Sequence, residues 1–340
     1  MPPQRGLICV LLVLVLCACS ASEPEASGQP SAIETAPSPP ENELTWTTGV
    51  WQAPGDTPQQ SIWPDGAPGT VGSSSPPERV LTRYSPEAVN GDISQAVFDV
   101  SDPTITVFPP QGKNSGAVII VFPGGGFNAV VVTLEGTEIC DWVTSHGITC
   151  VLSKYRVPLS NHSWDKECQC IADPRPAPAL QDAQRTIRLV RAMAPELGAD
   201  PKKVGVMGFS AGGYLAVQTS NILEPEYQPV DEIDEISSRP DFAISFFAGH
   251  ICRNGDTLDP RLKVTAQAPP TFLVQAWDDE VNPICNATLY ARALDAAGVS
   301  AEVHLFASGG HAFGLRRNHS PDTVWPSLLE NWLKEQDVLN

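Results

Sequence analysis

Positive charge is scarce in this chain. Lys and Arg number 21 against 39 Asp and Glu, for a formal net charge of −18 at pH 7. So acidic a chain repels phosphate backbones, which excludes a nucleic-acid-binding role. Long apolar stretches are missing too: the run from Leu7 to Leu16 is too short to cross a bilayer as a helix. No Gly-x-x-x-x-Gly-Lys-Ser/Thr stretch occurs, so no phosphate-cradling loop of that type is present. Cys168-Gln-Cys170 has metal-ligand spacing, but no compact set of Cys or His partners accompanies it. Disulfides or free thiols are the better reading. The sequence has no internal repeat.

What is present begins with export. Arg5, the apolar run and the small residues after it have the layout of a signal peptide. Leu16-Cys17-Ala18-Cys19 resembles a bacterial lipobox, which predicts a lipoprotein-type signal peptide over 1–18 and a lipid anchor at Cys19. An ordinary cleaved signal peptide is the alternative; in either case the protein is exported, anchored in the cell envelope or secreted. Residues 19–43 are rich in Ser, Pro, Ala and Glu with Ile33 as their single aliphatic side chain. Too little apolar surface is available there to offset ordering entropy, so a disordered tether is expected. Of 9 cysteines, Cys9, Cys17 and Cys19 fall in the export segment. Cys140, Cys150, Cys168, Cys170, Cys252 and Cys285 remain for disulfides in an oxidising compartment, with the pairing left open.

At 42% hydrophobic and 18% charged, the remainder reads as one globular domain over 44–340. Residues 44–115 hold short apolar pieces broken by Pro and Gly, a loop-rich lead-in that becomes an antiparallel strand at 104–108. From there the pattern changes. "GAVIIVFP" (116–123) is β-branched without alternation, as a strand buried on both faces must be. Further strands are predicted at 148–155, 203–209, 241–249, 271–277 and 301–308. Helices fit at 135–145, 179–194, 210–220, 284–297 and 322–335, the second with Leu180, Ala183, Ile187, Val190 and Met193 on one stripe. Strands alternating with helices imply a doubly wound, mostly parallel α/β sheet with helices on both faces. Residues 158–178 interrupt it as an irregular insertion.

Within that frame, "KVGVMGFSAGGYLAV" (203–217) places Ser210 between a buried strand and a helix, inside Gly-x-Ser-x-Gly. Such a strand–turn–helix serine is a nucleophile elbow, with Gly208 and Gly212 where the two elements approach closely. A serine nucleophile needs a base and the base an orienting carboxylate. Of 6 histidines, His304 lies in a strand, His146 ends a helix, and His162 and His319 sit in polar loops. His250 precedes every good acid, whereas His311 in "SGGHAFG" follows the last strand in the chain order Ser, Asp, His. The acid lies in "AWDDEVNP": counting back four from Pro283 favours Asp279, with Asp278 as the alternative. "VFPGGGF" at the end of the first buried strand turns the N–H groups of its three glycines, Gly124 to Gly126, towards an oxyanion, and the N–H of Ala211 completes the hole.

The chain resembles the acetylxylan-esterase-like branch of exported bacterial α/β-hydrolases over about 61–317. "IWPDGAPG", "VFPGGGF", "EGTEICDWVTSHGI", "KYRVP", "DAQRTIRLVR", "GFSAGGYLA", "AWDDEVNP" and "GGHAFGL" carry the resemblance. It implies an α/β-hydrolase fold, Ser210 as nucleophile, Asp279 as acid, His311 as base, and an oxyanion hole of Gly125, Gly126 and Ala211. It further implies hydrolysis of short acyl esters, chiefly acetyl groups on xylan or a related plant polysaccharide, without cofactor or metal. The cysteine-bearing insertion at 161–178 and His250 depart from that pattern. A general carboxylesterase or peptidase on the same scaffold, and a surface binding module with a vestigial site, are the competing readings.

Overall fold

Apolar β-branched runs form strands that can bury both faces, and here they do so. The computed structural model describes residues 44–69, 75–85, 92–157, 164–165, 170–171, 177–254, 256–316 and 320–339. The signal peptide, Cys19, the tether, His162 and His319 lie outside those residues, as does most of the 158–178 insertion. Among the described residues one sheet has eight strands: Gln59–Ser61 (β1), Thr104–Phe108 (β2), Val118–Phe122 (β3), Thr149–Lys154 (β4), Val204–Phe209 (β5), Ala243–Phe246 (β6), Thr271–Ala276 (β7) and Ala301–Phe306 (β8). Their spatial order is β8-β7-β6-β5-β3-β4-β2-β1. The strands β3 to β8 are parallel, while β2 pairs antiparallel with β4 and β1 antiparallel with β2. Every residue of β3 to β7 is buried.

Helices Glu138–Ser145 (α1), Ala177–Met193 (α2), Ala211–Asn221 (α3), Cys285–Ala296 (α4) and Trp325–Glu335 (α5) connect or follow these strands. A π-turn over Thr133–Thr137 leads into α1, so the 135–145 helix splits into two geometries. The helix α2 begins at Ala177, inside the expected breaker, because Pro178 in a first turn forfeits no intrahelical bond. Its predicted stripe is buried at Leu180, Ala183, Ile187 and Val190. The helix α3 is buried all round, lying between strand and outer elements.

The 44–115 stretch is more ordered than a loop-rich lead-in. Leu44–Thr48, Arg79–Ser85, Asp92–Phe98 and Ala129–Val130 pair antiparallel in a second sheet. Val80, Val97 and Val130 on one face are buried, while Leu44 and Trp46 of the edge strand stay exposed. Trp63 anchors the same stretch to the core. Its Nε1 donates to Asp182 Oδ1 at 2.8 Å, and that fully buried carboxylate also takes the Arg156 main-chain N–H and Nε at 2.9 Å. Arg185 Nε donates to the Ile62 carbonyl at 2.9 Å while its other nitrogens meet Asp231 and Asp234. Two disulfides are present among the described residues. Cys140–Cys150 joins α1 to β4, and Cys252–Cys285 joins the loop after β6 to the start of α4.

Candidate active site

The turn between β5 and α3 explains its glycines. A Cβ on Gly208 would fall well inside 3.0 Å of the Gly212 carbonyl oxygen, and one on Gly212 inside 3.0 Å of the Phe122 carbonyl oxygen. Strand, helix and the neighbouring β3 therefore close to a separation that only hydrogen side chains allow. Between them Ser210 holds φ 51° and ψ −116°, a backbone state that L side chains rarely adopt. Main-chain bonds hold it there: its N–H donates to the Phe246 carbonyl at 3.0 Å and its carbonyl accepts from Tyr214 at 3.1 Å.

His311 follows β8 in a loop with positive φ on both sides, at Gly310 and Ala312. Its Nε2 lies 3.0 Å from Ser210 Oγ and its Nδ1 2.9 Å from Asp279 Oδ2. The ring packs edge-on against Phe247, with centroids 4.9 Å apart. Asp279 leaves β7 with its side chain fully buried. Gln275 Nε2 donates to Oδ2 at 3.0 Å, and the Val281 and Asn282 N–H groups each donate to Oδ1 at 2.9 Å. With His311 this makes four donors around one carboxylate. Asp278 points elsewhere: exposed, it accepts the Gly310 N–H at 2.8 Å and so braces the histidine loop.

Across the serine, the glycine loop after β3 turns sharply, with φ of 126° at Gly125, 60° at Gly126 and 57° at Phe127. The Gly124 carbonyl accepts from Val131, and the Gly125 carbonyl from Asn128 and Ala129. Among the described residues the Gly125, Gly126 and Ala211 N–H groups donate to no protein acceptor. The loop is tied down from below by Tyr155, whose hydroxyl donates to the Pro123 carbonyl at 2.5 Å, and by Glu135, whose Oε2 accepts the Gly124 N–H at 2.7 Å. Glu135 is buried, and loss of hydration pushes its pKa up to about 7 against the lowering pull of the Gly124 N–H and of His311.

The other described histidines lie off this line. His304 meets Glu302 at 2.7 Å and His146 meets the Trp142 carbonyl at 2.7 Å. His250 stacks on Phe127 with centroids 6.1 Å apart and meets Tyr214 edge-on at 5.4 Å, placing it beside the glycine loop. Sequence reasoning missed Gln275, Tyr155 and Glu135. Glu135 reads there as an ordinary acid near a helix start, and a glutamine inside "FLVQAW" was the visible signal for a buried polar partner.

Residues 172–315 match a family model described as alpha/beta hydrolase fold, and residues 106–226 match a second model, BD-FAE. The acetylxylan esterase of Xylanibacter ruminicola is 29% identical over 245 residues, covering 67% of this chain and 47% of that one. A solved structure of the acetyl ester-xyloside bifunctional hydrolase from Caldicellulosiruptor lactoaceticus is 29% identical with TM-score 0.58, covering 70% of this chain and 90% of that one. The chain has the α/β-hydrolase fold and is similar to acetylxylan esterases. The endo-1,4-beta-xylanase B of Butyrivibrio fibrisolvens is 26% identical over 218 residues, 57% of this chain and 32% of that one. This α/β-hydrolase thus spans about half or less of the length of those two curated relatives.

Proposed function

We propose that this α/β-hydrolase is a serine carboxylic-ester hydrolase that removes acetyl or other short acyl groups from xylan or a related plant polysaccharide. The observation that carries the reading is the unbroken line Ser210 Oγ, His311, Asp279, with separations of 3.0 and 2.9 Å. In this reading His311 takes the Ser210 proton as Oγ attacks the ester carbonyl, and Asp279 holds the tautomer and supports the imidazolium. The oxyanion faces the N–H groups of Gly125, Gly126 and Ala211, each worth about 2.7–4 kcal/mol in such a site. His311 then protonates the departing sugar oxygen, and water repeats the sequence on the acyl-enzyme. The acetylxylan esterase and acetyl ester-xyloside hydrolase among the similar proteins support acetyl esters as the first substrates to try.

The lipobox-like Cys19 supports an exported, lipid-anchored location, which a diacylglyceryl mass on the mature N-terminus would test. For the chemistry, turnover of p-nitrophenyl acetate and release of acetate from acetylated xylan should exceed activity on matched peptides and long-chain lipid esters. Ser210→Ala should reduce kcat by about 10⁴-fold or more with the fold intact. Activity surviving in that variant at more than a few per cent would refute the nucleophile.

A further inference from the structure

One buried acid in the site has no place in the three-residue line. Glu135 enters from the π-turn ahead of α1. The point where a Cβ of Gly124 would sit is 2.7 Å from Glu135 Oε2 and 2.8 Å from Ser210 Cβ. The carboxyl therefore occupies the small volume between the oxyanion loop and the nucleophile. A surface helix acid would be hydrated; this one is 3% exposed, and its one described donor is the Gly124 N–H.

We infer that Glu135 is a positioning residue of the reaction, a second carboxylate that pins the oxyanion loop through Gly124 and supports the His311 imidazolium alongside Asp279. The inference rests on the esterase reading above. Ionised, Glu135 accepts a charge-assisted bond from Gly124, about twice the strength of a neutral one, and attracts the cation formed as Ser210 loses its proton. Protonated, it does neither well. Among the described residues His311 and the Tyr155 hydroxyl, whose own ionisation burial and Glu135 oppose, act on it electrostatically, while Glu138, three residues on, is paired with Arg316 at 2.6 Å. Because burial holds the Glu135 proton to about pH 7, the support is present above that pH and fades below it.

The test is the ratio of wild-type to Glu135→Gln rates on p-nitrophenyl acetate between about pH 5 and 9. Glutamine keeps the size and an oxygen for Gly124 but not the charge. Above pH 8 kcat should be about tenfold lower in the variant with KM within about twofold, and the gap should close as pH falls through about 7. A ratio that stays flat, or no loss at any pH, overturns the inference, since a merely structural role would not follow that titration. A second measurement needs neither activity nor that variant. In protein carrying ¹³C-labelled glutamate carboxyls, one signal should titrate near pH 7 and move to higher pH in His311→Asn. No such signal, or one indifferent to His311, also overturns it. A wild-type protein without esterase activity would instead reject the function proposed above, leaving the labelled-carboxyl result to decide the pairing of Glu135 with His311.

Discussion

Two buried carboxylates act on His311 from two differently built regions, Asp279 from the acid turn after β7 and Glu135 from the π-turn ahead of α1. Their surroundings differ in donors. Asp279 is met by His311, Gln275 and the N–H groups of Val281 and Asn282, whereas Glu135 has the single described bond from Gly124. Hydrogen bonds to a charged group are worth about 1.5–3 kcal/mol each, enough in fours to replace lost water and not when single. Burial alone therefore does not decide whether an acid serves as a fixed charge. The count of convergent N–H groups does, and a turn whose main chain curls around a carboxylate supplies them most cheaply in side-chain entropy.

The largest expected effect breaks the well-supported side. Asp279→Asn keeps the shape but presents a donor where His311 needs an acceptor, and should lower kcat on the order of 10⁴-fold, measured on folded protein at neutral pH. Its neighbour separates position from chemistry: Asp278→Asn retains an oxygen for the Gly310 N–H and should cost less than about tenfold, through the histidine loop alone. A reversed ranking would move the acid to Asp278.

The smaller effect sharpens the other side and is read in stability. Folded Glu135 keeps its proton to about pH 7, above its ordinary 4.5, so between those values the folded chain binds more protons than the unfolded one. That contribution is complete below the unfolded value and is lost as pH rises through about 7. Glu135→Gln should therefore gain stability relative to wild type between pH 5 and 8, by up to about 3 kcal/mol in urea unfolding. A stability difference unchanged over that range would mean that Glu135 does not titrate there.

The legible parts of the site were those whose cause is local. Gly208 and Gly212 are demanded by backbone atoms of the same turn and its neighbouring strand, so the elbow stands out in fifteen residues. Ser210, Asp279 and His311 follow because each sits just past a strand whose apolar run is plain. The alternation of buried strands and amphipathic helices was equally open to reading. Glu135, Tyr155 and Gln275 were not, since their partners are distant carbonyls and N–H groups that no spacing encodes. The antiparallel sheet of 44–130 was hidden for another reason. Its strands bury one face, and turns rich in Pro and Gly dominate the composition between them, so loops were the easier reading. The cysteine pairing likewise emerged only when α1 was placed against β4, and α4 against the loop after β6.

The anchoring of Trp63 bears on how the enzyme is to be excised for study. The two family models begin at residues 106 and 172, inviting a start just ahead of β3. A chain trimmed there keeps the serine, the histidine and the parallel strands. It loses the indole N–H on Asp182 and the Ile62 carbonyl on Arg185, leaving each of these buried groups one hydrogen bond short while Arg156 still meets Asp182 and Asp231 and Asp234 still meet Arg185. A hydrogen bond to a charged group is worth about 1.5–3 kcal/mol, against a total stability of about 5–15 kcal/mol for a domain. A usable boundary lies upstream of β1, outside the matched region, because what looks like a leader is the keystone of the fold's far side.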